Sequence, residues 1–266
     1  MCIAVLKPRG IDMLTKEQME ICWENNPDGA GFAYNDGEKV YAHKGFMKFD
    51  DFYKKLMEVA GNIDLKEHDV LLHFRIATHG GINPECTHPF PVTKNIDEMK
   101  YLNFTCPVVF AHNGILTGYG STKDGYSDTM EYNAKVISQI KHLKEQDKLI
   151  DALAYDNHSR FVLLFKDYYI LGGDWVDKDG VAYSNTTYEK RVYVPVSSTY
   201  DNYNYLLGNY NNYYGSKKSK KATTWYDTHT VDKCDYCGAT AKLYTDNCFW
   251  LCKECMEYEK KYDKYF

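Results

Sequence analysis

Apolar and polar positions follow two different periods along this chain, and the switches between them mark out its elements. CIAVL at the start is a short apolar run, the pattern of a buried first strand. In TKEQMEICWENN, Met19, Cys22 and Trp23 share one face at helical spacing, and Thr15 and Gln18 stand as a capping box requires. GFAYNDGEKVYAH predicts two strands around an Asn-Asp-Gly turn. DDFYKKLMEVAG predicts a short amphipathic helix, capped by Asp50 and ended by Gly61. DVLLHFRIAT is apolar and long enough for a central strand, and PVVFAH reads as another. SDTMEYNAKVISQIKHL opens on the cap-forming pair Ser127 and Asp128, then repeats Met130, Ala134, Ile137 and Ile140 along an apolar helical stripe. FVLLFKDYYILGG and VAYSNTTYEKRVYVPV return to strand-like composition.

Strands, a helical block and strands again predict an α+β fold in which helices pack outside sheets, not the alternating order of a dinucleotide-binding fold. After Val196 the chain turns rich in Tyr, Asn, Ser and Lys and loses its periodicity, which reads as a linker or extension. The expected organisation is a domain over 1–196, a linker over 197–229 and a small module over 230–266. With 266 residues, 44% hydrophobic and 26% charged, the composition fits a globular chain of that organisation. The net charge of −5 argues against a protein that coats nucleic acid, while Lys217, Lys218, Lys220 and Lys221 keep a local phosphate contact open. No apolar run approaches the roughly 18 residues of a membrane helix, and no basic-then-apolar leader opens the chain. The expected setting is therefore the cytoplasm, with no membrane partner, where thiols stay reduced. Nine cysteines in that setting point to metal binding or catalysis before disulfides.

Cys2 is the first of them. Once Met1 is removed, which the small following side chain favours, this residue carries a thiol and a free α-amine together. That amine has an ordinary pKa of about 7.7–8.0 and can serve as general base to its own nucleophile. Cysteine is also among the most buried residue types, so a core thiol is the competing reading. Three other stretches put polar residues at strand ends. HFRIATHGG places Arg75 and Thr78 after VLL, and a guanidinium there suits bidentate capture of a carboxylate; a surface ion pair is its plainer reading. AHNGIL offers the Asn113 amide and the open backbone N–H of Gly114 to an oxyanion; alone, an Asn-Gly pair is a turn. Asp128 opens a helix, either as a cap or as a carboxylate for an ammonium. Taken together, a nucleophile, an oxyanion site and a clamp for both charges of an amino acid describe a glutamine site.

Cys2, DGAGF at 28–32, HFRIATHG at 73–80, HNG at 112–114 and SDT at 127–129 resemble, in order and spacing, the motifs of class II (N-terminal-cysteine) glutamine amidotransferase domains. The resemblance covers roughly residues 2–195. It implies a four-layer αββα N-terminal-nucleophile hydrolase sandwich, with Cys2 as nucleophile and its amine as base. It further implies Arg75 and Thr78 on the α-carboxylate, Asn113 and Gly114 as oxyanion hole, Asp128 on the α-ammonium, Asp28 and Gly29 framing the pocket, and His79 lining it. His73 reads as structural. One departure is ENNPDGAG, where family members commonly carry Arg and Gly just before the aspartate. No synthase-type domain is legible after the match, which implies a separate ammonia-acceptor enzyme as partner. Hydrolysis of another amide, or a non-catalytic module that binds protein or nucleic acid, are the alternatives.

Near the C-terminus, Cys234-x2-Cys237 and Cys252-x2-Cys255 have the spacing of a four-thiolate tetrahedral zinc site, a zinc ribbon whose Zn2+ would be structural. Cys248 and His229 compete as ligands; Cys248 is set aside because it falls in the strand-like stretch between the pairs. So small a piece buries little apolar surface, and metal would supply much of its folding free energy.

Overall fold

The computed structural model describes residues 2–77, 81–120, 125–190, 226–233, 239–245 and 250–254. The chain divides into two units, Met1–Val194 and Pro195–Phe266. In the first, β1 (Ile3–Lys7) leads into α1 (Lys16–Asn25), β2 (Ala30–Asn35), β3 (Val40–Phe46), α2 (Phe49–Ala60) and β4 (Val70–Phe74). There follow β5 (Phe90–Pro91), β6 (Asn103–Cys106), β7 (Val108–Asn113), α3 (Asp128–Lys135), α4 (Asp147–Asp156), β8 (Arg160–Phe165), β9 (Tyr169–Gly172), β10 (Val176–Lys178) and β11 (Val181–Tyr183).

These strands form two antiparallel sheets, ordered β10-β11-β1-β4-β2-β3-β6 and β5-β7-β8-β9. Alternation along the strands sorts their side chains into layers. Ala4, Leu6, Ala33, Ala42 and Leu71 from the larger sheet meet Val109, Ala111, Val162 and Leu164 from the smaller one, which fills the space between sheets. Ile3, Val5, Phe32, Leu72 and Phe74 point the other way, onto Met19, Cys22, Phe52 and Leu56 of α1 and α2. Phe110, Phe161 and Leu163 turn outward onto Tyr132, Ile150 and Ala154 of α3 and α4. Helices, sheet, sheet, helices: the αββα order implied by the resemblance is present in this α+β unit.

Local signals hold in detail at α1, where Gln18 N donates to Thr15 Oγ1 and Thr15 N donates to Gln18 Oε1. The Asn-Asp-Gly turn joins β2 to β3, with Asn35 opposite Val40. Two helices depart from expectation. α2 starts at Phe49 with Lys48 as an uncapped N-cap, so Asp50 lies in its first turn rather than at the cap. Phe49 is anchored against Trp23 and Tyr53, with ring centroids 6.1 and 5.8 Å away, and this packing draws the helix start forward. α3 ends at Lys135, and after Val136 the residues Ile137–Gln139 form a single tight turn. Ile137 stays buried against the same core, so the apolar stripe is satisfied without a continuous helix.

Buried Lys44 on β3 fixes the segment that crosses the sheet edge. Its ammonium donates to the carbonyls of Glu85, Thr87 and Met99 at 2.8, 3.0 and 2.6 Å. Burial pushes its pKa well below the ordinary value.

In the second unit, β12 (Tyr226–Lys233), β13 (Thr240–Thr245) and β14 (Trp250–Cys252) form an antiparallel sheet in that order. The lysine cluster at 217–221, His229's side chain, and Cys234, Cys237, Cys248 and Cys255 lie outside the described residues or side chains. Among the described residues no helix is long and apolar enough to cross a membrane.

Gly31 shows how tightly this frame is drawn. A Cβ there would lie 2.6 Å from Lys44 Cβ and inside contact distance of the His88 carbonyl. Gly31→Ala is expected to lower stability by about 2–3 kcal/mol, the cost of overpacking a rigid core. Urea denaturation checks this; an unchanged midpoint would contradict the packing described.

Candidate active site

Strand pairing, rather than sequence proximity, assembles the polar residues. Ile3 stands opposite Phe74 in the β1–β4 ladder, so Cys2 and Arg75 each lie one residue beyond the same pair. The Cys2 sulfur sits 3.3 Å from both the amide nitrogen and the carbonyl oxygen of Ile76. The Ile76 N–H thus donates to sulfur, and the S–H donates to the Ile76 carbonyl. Burial pushes the thiol pKa up; the Ile76 N–H and the Arg75 charge pull it down, and the Asp128 charge raises it again. Both Arg75 and Asp128 therefore act electrostatically on this sulfur.

Arg75 is itself only 3% exposed, and its Nη1 donates to the Gly81 carbonyl at 2.7 Å. The early loop is stitched to it on both sides. Arg75 N donates to Gly29 O and Asp28 N donates to Arg75 O, each at 2.8 Å, while Asp28 Oδ2 accepts from Ala77 N at 2.9 Å. Asp28 thus holds the strand exit that carries Arg75. Gly29 has φ +131°, and a Cβ on it would stand 2.7 Å from Thr87 Cγ2, so glycine is required.

Asn113 ends β7, opposite Arg160 of β8. Its Nδ2 donates to Ser184 Oγ at 3.0 Å, and Ser184 Oγ also accepts from Ala4 N at 2.8 Å. Gly114, at φ +148°, closes against Ser159, whose side chain occupies the place of any Cβ. Asp128 is not the cap of its helix. Ser127 is the N-cap, accepting from Met130 N, and Asp128 is the first helical residue. Its Oδ2 accepts from Leu116 N and its Oδ1 from Thr129 N, both at 2.9 Å, so the carboxylate ties the loop after Gly114 to the helix. A helix N-terminus favours such a negative charge.

Behind these groups lie three buried histidines. His73 and His88 stack with ring centroids 4.1 Å apart, and His73 Nε2 donates to His112 O at 3.2 Å. His112 meets Thr129 Oγ1 and Ser159 Oγ through its two nitrogens. Burial pushes His73 down to about 3, His112 down to about 4, and His88 well below its ordinary value. All three rings are neutral near pH 7, which leaves Arg75 as the local positive charge. His73 is fully buried, with its Nε2 on the His112 carbonyl.

Thr78 and His79 lie outside the described residues. Ser184 and Asn185 were not legible as site residues. Asn185 Nδ2 donates to the Cys2 carbonyl at 2.7 Å. Only the pairing of Val5 with Tyr183 brings them to Cys2, and that register has no local sequence signature. Among the described residues no group of three or more His, Cys, Asp or Glu is arranged to hold a metal ion.

A thiol against a backbone amide, a buried guanidinium, a carboxylate and an Asn-Gly strand end converge here. Residues 7–131 match the family model of the class-II glutamine amidotransferases. The matched stretch contains Arg75, Asn113, Gly114 and Asp128. Glutamine phosphoribosylpyrophosphate amidotransferase from B. subtilis, complexed with ADP and GMP, is similar at 20% identity and a TM-score of 0.45. A structure of the allosteric regulatory enzyme of purine biosynthesis is similar at 20% identity and 0.43. Each similarity covers 71% of this chain and 42% of the other, so the chain spans about two fifths of those proteins' length. Among curated proteins, nothing matches the sequence.

The neutral histidines give this unit a specific acid response. Unfolded, each ring has an ordinary pKa near 6.5 and takes up a proton that the folded state refuses. Stability is therefore expected to fall as pH drops from about 6.5 toward the folded-state values, by up to about 1.4 kcal/mol per pH unit for each ring. Chemical denaturation between about pH 7 and 5 measures the slope; a flat profile would contradict neutral, buried rings.

Proposed function

We propose that the domain hydrolyses the side-chain amide of glutamine through Cys2, yielding glutamate and ammonia for an acceptor. The observation that carries this reading is the sulfur of Cys2, seated on the Ile76 amide and acted on by both Arg75 and Asp128. The family match to residues 7–131 supports glutamine as the substrate.

In this reading, loss of Met1 frees the Cys2 amine, which takes the thiol proton. Arg75, with Thr78, binds the α-carboxylate, and His79 lines the pocket. Asp128 binds the α-ammonium: an ionised carboxylate offers about four lone-pair sites, and each of its oxygens takes a backbone N–H. The thiolate adds to the amide carbon, and the oxyanion is held by the Asn113 amide and the Gly114 N–H. Collapse breaks the carbon–nitrogen bond; the ammonium proton passes to the leaving nitrogen, and ammonia departs. Water then adds to the glutamyl thioester, returning the thiol and releasing glutamate. The ammonia is taken up by a separate acceptor enzyme.

Glutamate release from correctly processed protein tests the assignment. Cys2→Ser is expected to lower kcat at least about 10³-fold, and Arg75→Lys to raise KM about 10- to 100-fold by losing the bidentate fork. No glutamate from protein whose intact mass shows Met1 removed would overturn it.

For the second unit we propose a structural zinc bound by Cys234, Cys237, Cys252 and Cys255. The β12–β13 hairpin has Lys233 opposite Thr240, with the first cysteine pair in the sequence between them. β14 is antiparallel to β13, with Cys252 opposite Leu243, and so runs back toward that same hairpin end. This backbone arrangement suits ligands from two tight connections converging on one ion. About one zinc per chain is expected by elemental analysis, lost in the Cys237→Ser, Cys252→Ser double variant. Metal-free purified protein whose thermal stability does not respond to added zinc would contradict the site.

A further inference from the structure

Asn113 and Ser184 are both buried, and their hydrogen bonds do not balance. Asn113 gives its Nδ2 to Ser184 Oγ, while its Oδ1 is buried without a partner. Ser184 Oγ accepts twice, from Ala4 N and from Asn113 Nδ2, and among the described residues its own hydroxyl proton meets no acceptor. Two groups, one acceptor and one donor, are therefore left over side by side. A buried polar group without a partner is costly, so such a pairing has a reason to rearrange.

A half-turn of the Asn113 amide about its Cβ–Cγ bond exchanges the roles of the two groups. Oδ1 then stands where Nδ2 was, and the Ser184 hydroxyl donates to it while still accepting from Ala4 N. The NH2 moves to the place of the unpartnered Oδ1, with a hydrogen to give. A hydroxyl can accept in one arrangement and donate in the other.

We propose that Ser184 is the positioning residue of the oxyanion site. It accepts from the Asn113 NH2 in the arrangement described and holds the turned amide, NH2 away from Ser184, when an oxyanion forms. The role rests on the glutaminase reading and deepens it. Ser184 is well placed for it: its own N–H donates to Ala4 O at 2.9 Å, and the neighbouring Asn185 side chain holds the Cys2 carbonyl. One dipeptide at the end of β11 thus fixes both the nucleophile's backbone and the oxyanion donor's orientation.

The experiment compares glutaminase kinetics of Ser184→Ala, Ser184→Cys and Ser184→Thr, alone and with Asn113→Ala. Ser184→Ala is expected to lower kcat about 10²-fold, near the cost of losing one oxyanion donor, with KM changed less than about twofold. Ser184→Thr keeps the hydroxyl and restores most of kcat; Ser184→Cys keeps the volume but donates weakly and does not. In the Asn113→Ala background the Ser184 substitutions cost little more, because the two residues act as one unit. Full kcat in Ser184→Ala, or additive losses with Asn113→Ala, would overturn the proposal. If Ser184→Ala does not fold, Ser184→Cys carries the same comparison. Selective 15N-asparagine labelling reads the pair without turnover: the side-chain NH2 signal lost in Asn113→Ala is expected to move in Ser184→Cys. An unmoved signal overturns the pairing even if wild-type protein releases no glutamate, an outcome that would defeat the glutamine reading by itself.

Discussion

The register of β1 is the constraint on which the site depends. β1 is paired on both sides, to β4 with Ile3 opposite Phe74 and to β11 with Val5 opposite Tyr183. Its side chains alternate between two buried layers, Ile3 and Val5 toward the helices, Ala4 and Leu6 toward the second sheet. A slip of one residue would exchange these sets, putting Ile and Val into the space shaped for Ala and Leu. The hydrophobic core thus fixes the register, and the register delivers Cys2 to Ile76 and Ala4 to Ser184. Stability and chemistry share the same few strand pairs.

Charge is distributed around that strand end with restraint. Three histidines lie behind the site, and burial keeps all of them neutral. Were they protonated, they would compete with Arg75 for any bound anion and repel the guanidinium. Lys44, also buried, spends its ammonium on three carbonyls rather than on the site. Among the described residues the charges of Arg75 and Asp128 act on the thiol, with opposite sign. Burial pushes the thiol pKa up, so the proposed reaction calls on a local base, the role proposed for the Cys2 α-amine.

Sequence and structure agree where the signal is local. The Thr15–Gln18 capping box, the Asn-Asp-Gly hairpin and the Ser127 cap each depend on residues a few positions apart, and each is present. Disagreement appears where tertiary packing decides. Aromatic contacts draw the start of α2 to Phe49 ahead of Asp50, and α3 gives way at Val136 although the apolar stripe runs on to Ile140. α4 escaped notice because DKLIDALAYD carries no side-chain cap and its apolar stripe is short. Arg75, Asn113, Gly114 and Asp128 were legible because each stands at the end of a readable element. Ser184 and Asn185 were not, since their partners are Ala4 and Cys2, 180 and 183 residues away.

The two asparagines and two glycines of the site divide the work by physical necessity. Gly29 and Gly114 have positive φ and face side chains that already occupy the Cβ position, so both are fixed by space as much as by conformation. Gly114 has no side chain, and Ser159 and His112 pack where its Cβ would stand, so the backbone direction there is fixed. Asn113 has the opposite difficulty: a rotatable amide presents donor and acceptor with equal ease. Rigid backbone needs no partner to stay oriented, whereas a side-chain donor does. That difference explains why a single buried hydroxyl, anchored by β1 and adjacent to the residue that grips Cys2, belongs to the same machinery as the strand end it faces.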